Sequence, residues 1–186
     1  MIGFAFCGSF CTVSKAMGEM EKLCAGYPVQ GIVSENVFST DTRFGKASEI
    51  CARIEELTGR AVIHTIVDAE PLGPTHPLEA LVICPCTGNT LAKMAVGITD
   101  GAVTMAAKAH LRSNRPLVIA LASNDALSAN LKNIGTMLTR KNVYFVPMRQ
   151  DDPEKKPHSL VADFSKLAAT LEAALQGKQF QRLFQV

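Results

Sequence analysis

The segment CPCTGNTLAKMA (84–95) combines two cysteines one residue apart with small polar residues and the start of a helical pattern. A Cys-x-Cys pair can bind a metal ion or form a redox couple, but structural zinc sites use four ligands at characteristic spacings. A reactive thiol needs an exposed, electropositive setting, whereas Cys84 ends an apolar strand-like run. The residues favour a third possibility, a loop that binds an anion or a ring, with Asn89 or Thr90 capping the helix.

Three other segments share this composition, and each follows an apolar run and precedes a helical pattern. They are CGSFCT (7–12), SENVFSTDTRFG (34–45) and ASNDALS (122–128). Ligands of parallel α/β sheets bind beyond the carboxyl ends of the strands, and helix starts with hydroxyl and N–H donors suit phosphate. The first loop lacks the GxGxxG fingerprint of dinucleotide sites. The pattern predicts one anion site formed by Gly8, Ser9, Ser39, Thr40, Thr87 and Asn89.

Strand-like and helix-like segments alternate along the chain. Strands are predicted at 2–6, 29–34, 80–85, 116–122 and 142–147, and helices at 13–24, 44–59, 89–96, 101–113, 125–140 and 158–176. Residues 61–66 are predicted as a short extended or partly helical piece, and 150–159 as an exposed loop. Continuous apolar strands are typical of parallel sheets covered on both faces. We therefore expect a single domain over 1–186, a three-layer doubly wound parallel α/β sheet of the Rossmann-like or flavodoxin-like type.

Composition excludes several classes of protein. With 186 residues, 47% of them hydrophobic, and a net charge of +2, the chain is globular and shows no basic patch typical of nucleic-acid binding. Its apolar runs fall short of the roughly 20 residues that a membrane span needs, and the N-terminus does not resemble a signal peptide. The six cysteines lie mostly in apolar segments. Reduced thiols and a cytoplasmic location are therefore expected.

Two resemblances emerge from these segments. The stretch from Pro85 to Thr90 resembles the Pro-Ala-Ser-Ala-Asn-Thr motif of the flavoprotein family that includes phosphopantothenoylcysteine decarboxylases and lantibiotic cysteine decarboxylases. Over nearly its whole length the chain also resembles the B subunits of dipicolinate synthases from spore-forming bacteria. The segments that carry this second resemblance are IGFAFCGSFCT, FSTDTRFG, IVDAEPLGP, CPCTGNTLAKMA, TDGAVTMAAKAHLRSNRP, ASNDALSAN and QDDPEKKP.

The resemblance implies an FMN cofactor and a homo-oligomer built from trimers. It also implies a partner, the A subunit of dipicolinate synthase, which would use NADPH or NADH. Together the two chains would convert a small dicarboxylic substrate of the tetrahydrodipicolinate type into dipicolinate. The setting would be the cytoplasm of the mother cell of a sporulating bacterium.

The resemblance and the strand-end loops together give a set of expected cofactor-binding residues. They are Gly8, Ser9, Phe10, Ser39, Thr40, Pro85, Thr87, Asn89, Thr90, Ser123 and Asn124. Asn124 matches the Asn of the decarboxylases' Pro-x-Met-Asn motif, but the Pro and Met of that motif are replaced. The decarboxylases also use a histidine near the second strand-end loop and a cysteine in a C-terminal flap. Residues 34–45 contain no histidine and no cysteine follows Cys86, so decarboxylation of a cysteine substrate is not expected.

Three functions remain open at this point. The first is oxidation of a cyclic dicarboxylic imine to an aromatic pyridine, with Arg43 as the candidate for a substrate carboxylate. The second is an FMN-dependent decarboxylase of the phosphopantothenoylcysteine decarboxylase type that uses a different catalytic acid. The third is a non-catalytic partner of the A subunit. Stacking on the flavin would fall to Phe10, Phe38 or Phe44, since the chain has no Trp. None of the four histidines is expected to be catalytic.

Overall fold

The computed structural model describes residues 1–185, and the strands within them form one seven-stranded sheet. The strands are β1 (Ile2–Phe6), β2 (Val29–Val33), β3 (Ala80–Thr87), β4 (Leu117–Ser123), β5 (Val143–Phe145), β6 (Met148–Arg149) and β7 (Leu160–Ala162). Strands β2, β1, β3, β4 and β5 pair in that order, and all of these pairs are parallel. The strand order reverses between β1 and β3, which is where doubly wound sheets bind their ligands.

Helices cover both faces of this sheet. They are α1 (Phe10–Cys24), α2 (Glu35–Ser39), α3 (Ala47–Thr58), α4 (Ile66–Ala69), α5 (Gly88–Val96), α6 (Ala102–Leu111), α7 (Leu131–Leu138) and α8 (Leu167–Leu175). Helices α1, α3 and α8 share one hydrophobic cluster with the sheet, and α5, α6 and α7 share a second cluster on its other face. The central strands are thus buried on both sides, and the predicted three-layer α/β architecture is confirmed.

The sheet is mixed, which corrects the expectation that it is parallel throughout. Strand β7 runs antiparallel to the end of β4, with Ala122 opposite Val161, and β6 runs antiparallel to β7. The prediction of one helix over 158–176 missed β7, because three apolar residues are too few to show a strand or helix period. The chain returns to the sheet edge there before it becomes helical.

The last helix begins later than predicted for a local reason. The Asp163 carboxylate accepts hydrogen bonds from the Ser165 N–H at 3.2 Å and from its hydroxyl at 2.6 Å. This cap starts a 3-10 turn over Phe164–Lys166, and α8 follows it at Leu167.

The helix predicted over 125–140 is shorter in the structure, because α7 occupies only its second half. Residues before α7 form turns in which the Asp125 carbonyl accepts from the N–H groups of Ser128 and Asn130 at 3.1 and 3.0 Å. Asp and Asn favour such turns over helix interiors. The turns bring Asp125 and Asn130 to the edge of the sheet where the site is expected.

Two other local predictions are confirmed. Gly59 ends α3 with a left-handed φ of +65°, which costs a glycine little. Residues 61–66 begin extended, with Ile63 in a parallel bridge to Ile32, and α4 follows.

Candidate functional site

The carboxyl ends of β1 to β4 lie along one edge of the sheet, and the loops that follow them surround two adjoining cavities. The larger, called the main cavity, measures about 950 Å³. The smaller, called the side cavity, measures about 320 Å³ and shares Gly8, Thr87 and Asn89 with the main cavity. Pockets for small ligands commonly span about 300–1,000 Å³. Both cavities begin at the β1/β3 reversal, the position expected for a ligand in this fold.

The structure brings most of the predicted site residues together. The main cavity is lined by Gly8, Ser9, Phe10, Arg43, Thr87, Asn89, Ser123 and Asn124, among others. Thr90 lines the side cavity. Pro85 is buried below the loops, where its carbonyl accepts a 3.1 Å hydrogen bond from the Cys7 N–H. Pro85 therefore supports the first loop from beneath.

Ser39 and Thr40 lie outside the lining of both cavities. The Ser39 hydroxyl donates to the Glu35 carbonyl at 2.9 Å, at the exposed end of α2. Ser34 and Asn36, from the same loop, line the side cavity in their place. The sequence carried a signal for Ser34, because it is the first residue after β2, just as Cys7 is the first after β1.

Ser34 contributes a buried hydroxyl with unused hydrogen-bonding capacity. Its Oγ is shielded from solvent and has no hydrogen-bond partner within residues 1–185. A buried polar group left without a partner costs about 1–3 kcal/mol. An oxygen-rich ligand in the side cavity would satisfy this hydroxyl, and this favours an anion at this position.

Thr87 caps α5, which corrects the prediction that Asn89 or Thr90 would do so. Its Oγ1 accepts from the Thr90 N–H at 3.2 Å and lies 3.1 Å from the Thr90 hydroxyl. The helix begins at Gly88, one residue earlier than predicted, so the cap position moves to Thr87. Asn89 lies exposed in the first turn, where its amide makes no side-chain hydrogen bond within the described residues. That amide is available to a ligand.

A carboxylate network supports the main cavity from the β4 side. Asp125 accepts hydrogen bonds from Ser123 at 2.5 Å and from the Asn130 amide at 2.9 and 2.8 Å. The Asn133 side-chain amide in turn donates to Asn130 Oδ1 at 2.8 Å. The hydrogen bond from Ser123 has the largest effect in lowering the pKa of Asp125, and the hydrogen bonds from Asn130 lower it further. An ionised carboxylate therefore lines the cavity at neutral pH and can accept a ligand N–H.

The two cysteines of the Cys-x-Cys pair are buried in the hydrophobic core. The strand register shifts between Ile83 and Cys86, so Cys84 and Cys86 enter the hydrophobic clusters on opposite faces of the sheet. Burial raises the pKa of Cys84 well above its usual range, and a hydrogen bond with the Cys7 thiol, together with burial, raises that of Cys86. Neutral thiols facing opposite ways do not form a ligand pair. Within residues 1–185, no three His, Cys, Asp or Glu side chains form a group suited to a metal ion.

The aromatic candidates divide into two sets. Phe10 and Phe44 line the main cavity, and the Arg43 guanidinium lies 4.8 Å from the centre of the Phe44 ring. Phe38 instead stacks on His64, with ring centroids 3.7 Å apart and planes at 4°. Phe10 and Phe44 are therefore the rings available to a planar ligand.

Comparison with known proteins bears directly on this arrangement. Residues 1–171 match the family model described as Flavoprotein. The chain belongs to the flavoprotein family. This flavoprotein is 47% identical over 181 residues to the dipicolinate synthase B subunit of Bacillus subtilis (strain 168), a match that covers 97% of this chain and 90% of the relative. Its fold is similar to the crystal structure of the dipicolinate synthase B subunit from Bacillus halodurans C, with a TM-score of 0.91, 42% identity and coverage of 100% and 95%.

A more distant flavoprotein shares the fold alone. The structure of DmrB from Burkholderia xenovorans, described as a cubic protein cage in complex with FMN, has a TM-score of 0.70 at 16% identity and covers 94% of each chain. The resemblance to dipicolinate synthase B subunits predicted from the sequence is confirmed by the closer relatives. In the part of the chain that the structure describes, no helix has both the length and the apolar character to cross a bilayer.

The residues of the two cavities fit a flavin mononucleotide. A phosphate needs donors, which the Ser34, Thr87 and Thr90 hydroxyls and the N-terminal N–H groups of α1 and α5 supply. Gly8 packs closely at this point, since a Cβ there would lie 3.4 Å from both Asn36 and Phe10, at van der Waals contact. A planar ring needs apolar faces and polar edge partners, which Phe10 and Asp125 can provide.

Proposed function

We propose that this flavoprotein binds FMN, with the phosphate in the side cavity and the ring in the main cavity. The unpartnered Ser34 hydroxyl supports the phosphate position, since it is the one buried donor at these loops that the described residues leave unsatisfied. Thr87 and Thr90 add hydroxyls, and Asn89 adds an exposed amide at the boundary of the two cavities. Bound FMN would supply two-electron redox chemistry, while the chain supplies binding, orientation and a fixed negative charge at Asp125.

We further infer that the chain is the B subunit of a dipicolinate synthase. The observation that carries this inference is 47% identity over 97% of the chain to a named B subunit, combined with a flavin-sized cavity at the strand-order reversal. The substrate would be a cyclic dicarboxylic imine of the (4-hydroxy-)tetrahydrodipicolinate or dihydrodipicolinate type. Each oxidation step would remove two hydrogens from the ring, as a hydride that oxidised FMN or the oxidised nicotinamide of the A subunit would accept and a proton that would leave to solvent. The partner would be the A subunit of the same synthase, which would use NADPH or NADH.

Arg43 remains the predicted contact for a substrate carboxylate in the main cavity. Its guanidinium lies over the exposed Phe44 ring, in the loop after β2, so it can reach a ligand from the solvent side. Arg is suited to this role because its planar fork can hold a carboxylate by two hydrogen bonds.

Assembly and location complete the proposal. We infer a homo-oligomer based on trimers, in the cytoplasm of the mother cell of a sporulating bacterium. The distant relative DmrB is described as a cage, which favours assembly in this fold family.

The test measures flavin binding and product formation separately. The purified chain should bind FMN in a fluorescence titration. When it is added to the A subunit, dipicolinate should form faster than without it, as followed by ultraviolet absorbance. Reduction of bound FMN by NADPH or NADH only when the A subunit is present would support electron transfer between the two chains. Release of CO2 from a cysteine-bearing substrate would instead indicate a decarboxylase, and product formation that does not depend on FMN would indicate a non-catalytic partner.

A further inference from the structure

A second large cavity, called the second chamber, adjoins the main cavity. It measures about 810 Å³ and lies between α1, the residues after β6 and the segment from β7 into the following 3-10 turn. Thr12, Lys15, Asp151 and Val161 line both it and the main cavity. The four shared residues place the two cavities side by side, and the two together are called the cleft. A ligand in the second chamber would therefore lie next to the proposed flavin.

The acidic side chains of the second chamber are already engaged. Glu19 pairs with Lys22 at 2.7 Å, and Asp151 pairs with Lys156 at 2.8 Å. The side-chain hydrogen bond from Lys156 lowers the pKa of Asp151. Asp163 is the carboxylate that caps the 3-10 turn before α8. None of the three acids is free of a donor within the chain.

Two cations of the chamber have no such partner. Lys15 and Arg149 both line it, and within residues 1–185 neither forms an ion pair or a side-chain hydrogen bond. Lys15 projects from α1 and Arg149 ends β6, so the two come from separate elements of the fold. Thr12 and Ser165 add hydroxyls to the lining. Both Lys15 and Arg149 are exposed, so the chamber offers a ligand two positive groups that no acid within residues 1–185 pairs with.

We propose that the second chamber binds a small dicarboxylate, with Arg149 and Lys15 each holding one carboxylate group. An Arg fork can hold a carboxylate by two parallel hydrogen bonds, and a Lys ammonium acts as a point charge. Because Lys15 lines both cavities, a ligand held between the two cations reaches the edge of the main cavity. That the ligand is a dicarboxylate rests on the proposed function, in which the substrate carries two carboxylate groups. The anion site itself is inferred from the chamber and from its two cations, which have no ion-pair partner within residues 1–185.

The test compares two probes on the metal-free, full-length protein by isothermal titration calorimetry. Pyridine-2,6-dicarboxylate should bind at least tenfold more tightly than pyridine-2-carboxylate, which offers a single carboxylate. Arg149→Gln and Lys15→Gln should each weaken binding of the dicarboxylate about tenfold and should remove most of its advantage over the monocarboxylate. Lys141→Gln is the matched control, since it removes the same charge from an exposed residue outside the cleft. It should change neither affinity.

Two results would overturn the proposal. They are unchanged dicarboxylate binding in both cleft variants, and displacement of the dicarboxylate by an equal concentration of inorganic phosphate. FMN titration tests the proposed function independently of the second chamber. In that titration Arg149→Gln should bind FMN with unchanged affinity. A wild-type chain that fails to bind FMN would contradict the proposed function. The two cleft substitutions would still report on the chamber in that flavin-free protein.

Discussion

Ser123 donates a 2.5 Å hydrogen bond to the carboxylate of Asp125, and this pair lies directly against the Cα of Gly88. The contact joins the end of β4 to the first residue of α5. A Cβ added at Gly88 would meet Ser123 Oγ, and would lie only 2.6 Å from Asn130 Nδ2 and 2.9 Å from Asp125 Oδ1. The segments that follow β3 and β4 are therefore held together by a contact that only glycine permits.

Replacement of Gly88 by alanine should disturb both folding and flavin binding. The new methyl group must push apart the Ser123, Asp125 and Asn130 network, and overpacking of this kind typically costs about 1–3 kcal/mol. Displacement of the same network should also weaken FMN binding, because Ser123 and Asp125 line the main cavity. Urea unfolding and an FMN titration at one temperature measure the two effects.

Gly135→Ala serves as the matched control for Gly88→Ala. Gly135 lies within α7, and a Cβ there would meet nothing within 4 Å. Alanine should raise the free energy of unfolding by roughly 0.5–1 kcal/mol, as expected for a helix interior, and leave FMN affinity unchanged. Equal stability losses in the two variants would show that the Gly88 contact is not the cause.

The sequence predicted the architecture better than it predicted the ends of the elements. Buried strands such as β1 and β4 are continuous apolar runs, which is a strong local signal for a parallel sheet covered on both faces. Strand β7 has three residues, and its identity depends on pairing with β4 rather than on its own pattern. The turns before α7 depend on hydrogen bonds to Asp125. The spacing of apolar residues along the chain therefore predicts neither strand β7 nor the turns before α7.

The site was predictable as a set of loops but not residue by residue. Gly8, Thr87 and Ser123 were predicted because each lies where a strand ends. The carboxyl ends of parallel strands share one edge of the sheet, so these three residues line the cavities there. The same rule points to Ser34, yet the prediction chose Ser39 and Thr40 from the far end of that loop. The helix α2 intervenes and carries those two residues away. The second chamber was missed because it depends on β6 and β7, whose placement is a tertiary result.

Ser34→Ala separates a structural from a ligand-binding role for this hydroxyl. Since Ser34 Oγ has no partner within the described residues, its removal should leave the free energy of unfolding unchanged or slightly higher. FMN affinity should fall by about 1.5–3 kcal/mol if the hydroxyl bonds a charged phosphate, which is roughly ten- to hundredfold. Ser39→Ala, outside the cavities, should leave FMN affinity unchanged. Wild-type affinity in the Ser34 variant would show that the phosphate lies elsewhere.

Thr87→Ala and Asn89→Ala should differ in their effect on stability, because only Thr87 caps α5. Loss of the cap should lower the free energy of unfolding by about 0.5–2 kcal/mol. Asn89→Ala should cost little stability, since alanine is the better helix former. It should instead weaken FMN binding, by about 0.5–1.5 kcal/mol for a neutral hydrogen bond and 1.5–3 for a charged one. Calorimetric melting and FMN titration of both variants measure this, and unchanged FMN affinity in Asn89→Ala would make Asn89 a surface residue without a ligand.

His110 should make the stability of the protein depend on pH, although it lies outside both cavities. Its side chain is fully buried, with Nε2 2.9 Å from the Pro116 carbonyl and Nδ1 without a partner within residues 1–185. Burial is the main cause that lowers the pKa of His110, and the nearby Arg115 charge adds to it, while the Pro116 carbonyl acts in the opposite direction. The native state therefore holds this imidazole neutral under conditions in which the unfolded chain already binds a proton.

The sign of the effect follows from that difference. Below the unfolded histidine pKa of about 6.5 the unfolded state binds more protons, so the free energy of unfolding should fall as the pH drops, by at most about 1.4 kcal/mol per pH unit for one group. Above that pH the contribution of His110 is fully present and constant. His110→Gln can retain a donor to the Pro116 carbonyl but cannot titrate. Urea unfolding at pH 7.5 and 5.5 should therefore show a smaller loss of stability in the variant than in the wild type, and an identical loss in both would show that His110 is not the group responsible.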